Sequence, residues 1–199
     1  MPAARGLGLS FYFCHAAHVA EAAEVSVDEN KKLTVHKVTV VADVGPIVNM
    51  SGALNQVQGA VIDGLSTMVG QKITMENGII EQTNLHQYPV LRIGAAPKIE
   101  VHFIQSDNEP TGLGEPGLPL LAPAVANAIF AGIGKRVRKM PLVDEGFTVE
   151  QLLVASKHRL TFFNKRGNTF FGILGVTAGS LCIGFEFKRF SQGRIHASV

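Results

Sequence analysis

The chain has 199 residues, of which 46% are hydrophobic and 17% are charged, with 18 Lys and Arg against 16 Asp and Glu. This length and composition predict one folded domain with a substantial core, and they exclude an intrinsically disordered chain. The net charge of +2 gives no field that would attract a polyanion, so nucleic acid is not an expected partner. A chain of this length is also too short for two large cofactor-holding domains plus an electron-transfer module.

Cysteine and histidine give no metal or disulfide pattern. Cys14 and Cys182 can form one disulfide at most, and neither lies in a CxxC or Cys/His spacing. Two cysteines cannot hold an iron–sulfur cluster. His15 and His18 lack a nearby carboxylate or cysteine that would complete a metal set, so we interpret them as structural. The chain also lacks a GxSxG nucleophile elbow and a GxxxxGK[ST] phosphate loop.

The first 43 residues predict three strands. The apolar run 7–14 is short and is followed by His15, so we expect a buried strand rather than a secretory signal. Residues 19–28 and 33–43 alternate apolar and polar positions and are rich in β-branched residues. The polar tetrad 29–32 between them predicts a hairpin turn.

A helix is predicted over 51–70, where apolar residues recur at spacings of three and four. Ser51 is the expected cap and Gly70 the expected stop. Gly59 and Gly64 lie inside the helix and weaken it, so we expect them to mark close approach of a neighbouring element. The apolar face consists of Leu54, Val57, Val61, Leu65 and Met68.

The middle of the chain predicts a return to strands and then a second helix. A short strand pair is expected around residues 76–78, and alternation over 98–106 predicts a further strand. The Gly- and Pro-rich stretch 106–119 predicts a loop, and the Ala-rich run 119–134 predicts a helix that is buried nearly all round. This order of elements predicts an α+β fold with two layers. Four basic residues after the second helix, Lys135, Arg136, Arg138 and Lys139, are interpreted as cations at a helix C-terminus rather than as a phosphate site.

Residues 168–185 contain no charged side chain, which is the length at which a membrane span must be considered. Four glycines and several hydroxyl residues lower the apolar content of this stretch. We therefore favour a segment that does not span a membrane and keep membrane association as an alternative.

Glu115 is the main candidate for a catalytic residue. It lies in the segment TGLGEPG, between glycines that allow close backbone approach and directly before an apolar helix. If the helix excludes water, desolvation raises the carboxyl pKa and suits Glu115 to general base catalysis; the alternative is an ordinary surface glutamate. Gln56 and Gln58 flank Val57 on different sides of the first helix, and one of them could hydrogen-bond a ligand.

Six segments together resemble the C-terminal part of the molybdopterin-binding large subunit of the xanthine oxidase and aldehyde oxidoreductase family. The similarity runs from about Arg5 to Leu142, and within that family it is strongest to the beta subunit of isoquinoline 1-oxidoreductase. The segments are DVGPIVN, QVQGAVIDGLS, NLHQYPVLRI, AAPKIEVHFIQS, PTGLGEPGLPLLAPAVANAIF and GKRVRKMPL.

The resemblance implies site residues, cofactors and a reaction. Glu115 matches the glutamate of the family's GxGE loop, the general base in hydroxylation at a molybdenum centre. Gln56, the first glutamine of QVQG, matches the glutamine near the molybdenum, and Gly114 is expected to line the same pocket. The implied substrate is an aldehyde or N-heterocycle, oxidised with water as the oxygen source. The implied cofactors are molybdenum–molybdopterin, shared with an upstream domain, and iron–sulfur clusters on a partner subunit.

The resemblance also predicts that the chain is one part of a larger enzyme. Family members are several times longer, so the expected partners are the remainder of the large subunit and an iron–sulfur small subunit. Residues 1–142 are predicted to form a partial molybdopterin-binding domain with a two-layer mixed sheet and packed helices. Residues 143–199 match no part of the family that we can assign. The alternative is a non-catalytic remnant or assembly module, and the compartment stays open.

Overall fold

The computed structural model describes residues 3–149, together with the backbone of two strands at 158–163 and 169–174. The chain forms two compact units that divide between residues 154 and 155. The first unit therefore extends past residue 142, since Leu142, Phe147 and Val149 are buried in its core. The predicted end of the family domain at 142 stays a prediction.

In the first unit, a mixed sheet carries two helices. The three long strands are consecutive and antiparallel, in the order β1-β2-β3, and β6 and β7 each pair in parallel with β3. This is the predicted two-layer α+β arrangement. In chain order the elements are β1 (Ala4–Cys14), β2 (Ala17–Val27), β3 (Lys32–Asp43), α1 (Met50–Val69), β4 (Met75–Glu76), β5 (Ile79–Ile80), β6 (Lys98–Phe103), α2 (Leu118–Ile133) and β7 (Thr148–Val149).

The turns between strands follow the local sequence. The Asp28 carboxylate accepts hydrogen bonds from the backbone N–H groups of Asn30 and Lys32, each at 2.8 Å, which closes the turn between β2 and β3. Asn77 and Gly78 both have positive φ, at 50° and 79°, as a two-residue hairpin turn between β4 and β5 requires. Both predicted hairpins are therefore confirmed.

The first helix is capped two residues before the position that the sequence predicted. The Asn49 side chain, rather than Ser51, accepts the N-terminal hydrogen bond, from the N–H of Gly52 at 2.9 Å. Gly70 ends α1 as predicted. Gly64 does mark a close approach, because a Cβ there would lie 2.8 Å from the Leu118 carbonyl oxygen. Gly59 does not, since open space surrounds it, and that expectation was wrong.

Strand β1 and helix α2 pack with their backbones almost in contact. A Cβ at Gly6 would lie 1.9 Å from the carbonyl oxygen of Ala128, and a Cβ at Gly8 would lie 2.1 Å from that of Ala124. Only glycine fits at such distances. This contact fixes which face of β1 meets the helix, because side chains alternate along a strand.

Two expectations about burial were wrong. We predicted a buried strand at 7–14, yet the face of β1 opposite α2 is open: Leu7, Leu9, Phe11 and Phe13 are 59–65% exposed. The reason is that the glycines and Ser10 occupy the helix side, which leaves the large residues on the outer side. Helix α2 is also buried on one face only, because Asn127 and Phe130 are exposed.

The second unit is described only as an antiparallel pair, β8 (His158–Phe163) and β9 (Thr169–Leu174). Within the stretch considered as a membrane span, 168–185, residues 169–174 form β9. Residue 168 and residues 175–185, which include Cys182, lie outside the described residues. Within the described part of the chain, no helix is both long and apolar enough to cross a membrane.

Candidate active site

The loop before α2 is anchored at the end of β3. Asp43 accepts hydrogen bonds from the Ser106 hydroxyl at 2.5 Å and the Asn108 side chain at 2.8 Å, and the Ser106 bond is the main reason that the pKa of Asp43 is lowered. The N–H of Thr111 donates to the carbonyl of Val44 at 3.1 Å. Gly45 has a φ of 71° and lies so close that a Cβ would be 2.6 Å from the Asn108 oxygen. These contacts tie the loop to the carboxyl end of β3, and Gly114 and Gly117 of the same loop lie against α1.

The anchored loop brings two of the predicted residues together. A Cβ at Gly114 would lie 3.6 Å from the side-chain nitrogen, Nε2, of Gln56. Gln56 is 58 positions earlier in the sequence, on an exposed part of α1. Because Gly114 has no side chain, bare backbone faces the Gln56 amide, and both groups are open to a ligand.

Glu115 meets a residue that the sequence did not associate with it. Its Oε2 lies 3.5 Å from Nε2 of His15, which sits in the turn between β1 and β2 at a φ of 51°. Ala16, next in that turn, also has a positive φ, so the hairpin turn presents His15 outward toward the loop. Sequence reasoning treated His15 as structural, because only the fold makes it a neighbour of Glu115.

The expected desolvation of Glu115 is absent from this chain. Its side chain is 79% exposed and that of His15 is 59% exposed. The helix after Glu115 turns its buried face toward the sheet, so it does not cover the carboxylate. At such exposure the pair contributes little to stability, and water reaches both groups.

A different carboxylate is buried nearby. Glu21 on β2 is fully inaccessible to solvent, and neither of its carboxyl oxygens has a hydrogen-bond partner among the described residues. Burial raises the pKa of Glu21 to about 8. Sequence reasoning missed Glu21; the signal available was a glutamate at an inward position of the alternating run 19–28.

The basic residues after α2 lie beyond the last turn of the helix, which itself holds no basic residue, and three of them contact Glu145. Gly134, at a φ of 70°, ends the helix. Beyond it, the Glu145 carboxylate accepts hydrogen bonds from the backbone N–H groups of Arg138 and Lys139 and forms an ion pair with Lys135 at 3.0 Å. The bond from Arg138 is the main cause that lowers the pKa of Glu145 to about 2. Across the described ranges, no group of three or more His, Cys, Asp or Glu side chains could hold a metal ion.

The fold matches solved structures of molybdenum-containing and related oxidoreductases. The superposition on quinoline 2-oxidoreductase from Pseudomonas putida has a TM-score of 0.58 at 18% identity, covering 63% of this chain and 17% of that one. For the aldehyde oxidoreductase from Desulfovibrio desulfuricans the TM-score is 0.55 at 25% identity, covering 63% and 14%. The architecture is thus that of one part of a molybdenum hydroxylase large subunit.

Sequence comparison finds the same similarity. The family model described as "Molybdopterin cofactor-binding domain" matches residues 2–97, just under half of the chain. The membrane-bound aldehyde dehydrogenase [pyrroloquinoline-quinone] of Gluconacetobacter polyoxogenes is 39% identical over 121 residues, 60% of this chain and 16% of the relative. Isoquinoline 1-oxidoreductase subunit beta of Brevundimonas diminuta is 31% identical over 137 residues, 68% of this chain and 18% of the relative. The chain therefore spans less than a fifth of the length of these relatives.

Proposed function

We propose that this chain provides one wall of a molybdenum hydroxylase active site, with Glu115 as the general base and with Gln56 and Gly114 beside the cofactor. The observation that carries the proposal is that the loop bearing the adjacent residues Gly114 and Glu115 lies against Gln56 of α1, 58 positions before Gly114 in the sequence. The proposed reaction is oxidation of an aldehyde or an N-heterocycle. When bound, the molybdenum cofactor supplies the two-electron oxidation, with water as the oxygen source.

The residues at this corner fit a pterin cofactor. Gly114 leaves a space that a Cβ would fill, 3.6 Å from Nε2 of Gln56, so a flat polar ligand can approach the loop backbone. The Gln56 amide offers two donors and one acceptor without a charge, which suits the mixed donors and acceptors of a pterin. Gln56 and the backbone at Gly114 would therefore hold the cofactor edge.

Glu115 is the proposed proton acceptor. Its carboxylate lies beyond Gly114 and is free to face a substrate, while His15 at 3.5 Å orients Oε2. A positioned carboxylate that removes a proton in the transition state accelerates a reaction by roughly 10²- to 10⁴-fold. The exposure of Glu115 means that another polypeptide must close the site to raise the basicity of the carboxylate by excluding water.

The proposed covering partner is the remainder of a large subunit. Support comes from the outer face of β1, where Leu7, Leu9, Phe11 and Phe13 form one row of exposed apolar side chains. We call these four residues the β1 apolar row. A continuous row of this kind is typical of a protein interface. In the relatives, the matched region is part of a polypeptide more than five times as long as the match, so further large-subunit sequence accompanies it.

Iron–sulfur clusters on a small partner subunit are the proposed electron acceptors. Each oxidised substrate releases two electrons, and an iron–sulfur cluster takes one electron at a time. The two cysteines of this chain are too few to hold a cluster, so this role falls to another chain.

Co-expression with the upstream part of a related large subunit and its iron–sulfur subunit tests the proposal. We expect the full 199-residue chain to enter the complex and the complex to acquire molybdenum and pterin. Gln56→Leu should lower the cofactor content, whereas Gln58→Leu, a matched change two residues along α1, should leave it normal. A complex that forms without molybdenum would support a non-catalytic assembly module instead. Normal cofactor content in the Gln56 variant would remove that residue from the site.

A further inference from the structure

Glu21 is a buried acid that the proposed reaction does not use. In the sheet it pairs with Ser10 of β1 and Val40 of β3, and its side chain points to the helix side. Ser10 does not serve it, because the Ser10 hydroxyl donates instead to the Leu120 carbonyl at 2.8 Å. Both oxygens of Glu21 are therefore buried without a hydrogen-bond partner among the described residues.

The Glu21 carboxyl lies directly under the start of α2. Oε1 is 3.6 Å from the position of a Cβ on Gly117, the residue that precedes the first turn of the helix. Val57 and Ala60 of α1 close the same space, at 3.9 and 3.5 Å from that position. Because Gly117 has no side chain, the carboxyl lies next to the backbone of the loop.

The surroundings favour the neutral form of Glu21. The residues that face it from β1, β3, α1 and α2 are Ser10, Val40, Val57, Ala60 and Gly117, and none is charged. Burial is the cause of the raised pKa, which lies at about 8. Other titratable groups on β2, His18 and Glu24, are exposed on the opposite side of the strand.

The adjacent helix start is held by one hydrogen bond from the loop. The N–H of Leu118 donates to the carbonyl of Glu115 at 2.9 Å. It is the first N–H of α2, and the next residue, Pro119, has none. An ionised carboxylate under this end of the helix would be attracted to the helix N-terminus and would compete for that N–H.

We propose that Glu21 is a positioning residue for the Glu115 loop. As a neutral acid it leaves the Leu118–Glu115 hydrogen bond intact, which fixes Gly114 and Glu115 against Gln56. As a carboxylate it draws the first N–H of α2 toward itself and releases the loop. The catalytic meaning of this control rests on the proposed function, but the coupling between Glu21 and the loop does not.

A pH titration of the full chain by NMR tests the coupling without any cofactor. We expect the Cδ resonance of Glu21 and the amide resonances of Gly114, Gly117 and Leu118 to share one midpoint near 8. In Glu21→Gln this loop transition should vanish and the loop should keep its low-pH spectrum. Glu24→Gln, a matched change on the exposed face of the same strand, should leave the transition unchanged.

Several outcomes would overturn the proposal. One is a loop transition that persists in Glu21→Gln; another is a Glu21 Cδ that titrates in the ordinary carboxyl range or without any response of Leu118. If Glu21→Gln does not fold, Gly117→Ala replaces it, because its methyl group makes ordinary contacts of 3.5–3.9 Å. That methyl group desolvates Glu21 further, so the shared midpoint should rise; an unchanged midpoint would count against the proposal.

The reconstituted complex separates this inference from the proposed function. If Glu21 positions the base, the activity should decline as the pH rises, with a midpoint near pH 8. In Glu21→Gln this alkaline decline of activity should move to higher pH. Glu115→Gln should keep the NMR transition of the loop while turnover is lost. A loop transition without molybdenum activity would leave the coupling valid and would reject only the proposed function.

Discussion

Two carboxylates near Gly117, Glu115 in the same loop and Glu21 beneath it, have opposite environments. Glu115 is 79% exposed and pairs with His15, whereas Glu21 is completely buried and has no hydrogen-bond partner among the described residues. The sequence drew attention to Glu115 because glycines and an apolar helix surround it in the chain. Desolvation, however, depends on what lies around a group in space, and in this chain it acts on Glu21. Glu115 is thus accessible and suited to chemistry, whereas Glu21 is inaccessible and affects stability.

The largest expected effect is on turnover. In a reconstituted enzyme, Glu115→Gln should lower kcat by about 10²- to 10⁴-fold, because an amide cannot accept the proton. Molybdenum content and the free energy of unfolding should stay normal, since the side chain is exposed. Glu109→Gln is the control, an exposed glutamate six positions earlier in the same loop. A near-normal kcat in the Glu115 variant would remove it as the base.

The next effect is on the pH dependence of stability. The pKa of Glu21 is about 8 in the folded chain and near 4.5 when exposed, so over this range the folded state holds a proton that the unfolded state has lost. This contribution to stability is full below pH 4.5 and declines as the pH rises to about 8. The slope contributed by Glu21 is at most about 1.4 kcal/mol per pH unit.

Urea unfolding at a series of pH values measures this effect. In Glu21→Gln the decline should be absent, while Glu24→Gln should retain it. Glu100 and Glu145 act on the acid side, because contacts with Lys37 and with the Arg138 backbone respectively lower their pKa values to about 2. Their contributions are lost only as the pH falls below the ordinary carboxyl range, so they do not overlap with that of Glu21.

A smaller effect is expected from an apolar replacement. Glu21→Leu removes a buried polar group without a partner and keeps a similar volume, so it should raise the free energy of unfolding by about 1–3 kcal/mol at neutral pH. Glu115→Leu, at an exposed position, should change it by less than about 0.5 kcal/mol. Equal effects of the two substitutions in urea unfolding would contradict the contrast between the sites.

The smallest effect is expected from the ion pair of Glu115. His15→Ala removes a contact between two exposed side chains, so the free energy of unfolding should change by about 0–1 kcal/mol. In the reconstituted enzyme the same variant should lower kcat modestly, through a less ordered Glu115. A loss of kcat as large as that in Glu115→Gln would show that His15 does more than orient the carboxylate.

The local sequence predicted most elements because their determinants are local. Alternation over 19–28 and 33–43, the Asn77–Gly78 turn and the periodic face of α1 all depend on neighbouring residues. The cap at Asn49 was missed because Ser51 is an equally good cap in type, and only backbone geometry distinguishes them. The exposed β1 apolar row was missed because alternation defines two faces of a strand but not which face meets the helix.

The candidate site was predicted residue by residue from a resemblance, and its geometry was not. The sequence by itself determined the order of strands and helices, the likeness to a molybdopterin-binding domain, and the choice of Gln56, Gly114 and Glu115. Tertiary structure alone decided that Gly114 faces Gln56, that His15 reaches Glu115 and that Glu21 is the desolvated acid. The physical reason is that these contacts join residues 58, 96 and 100 positions apart, namely Gln56 with Gly114, Glu21 with Gly117 and His15 with Glu115. They depend on packing between elements, which local sequence patterns do not specify.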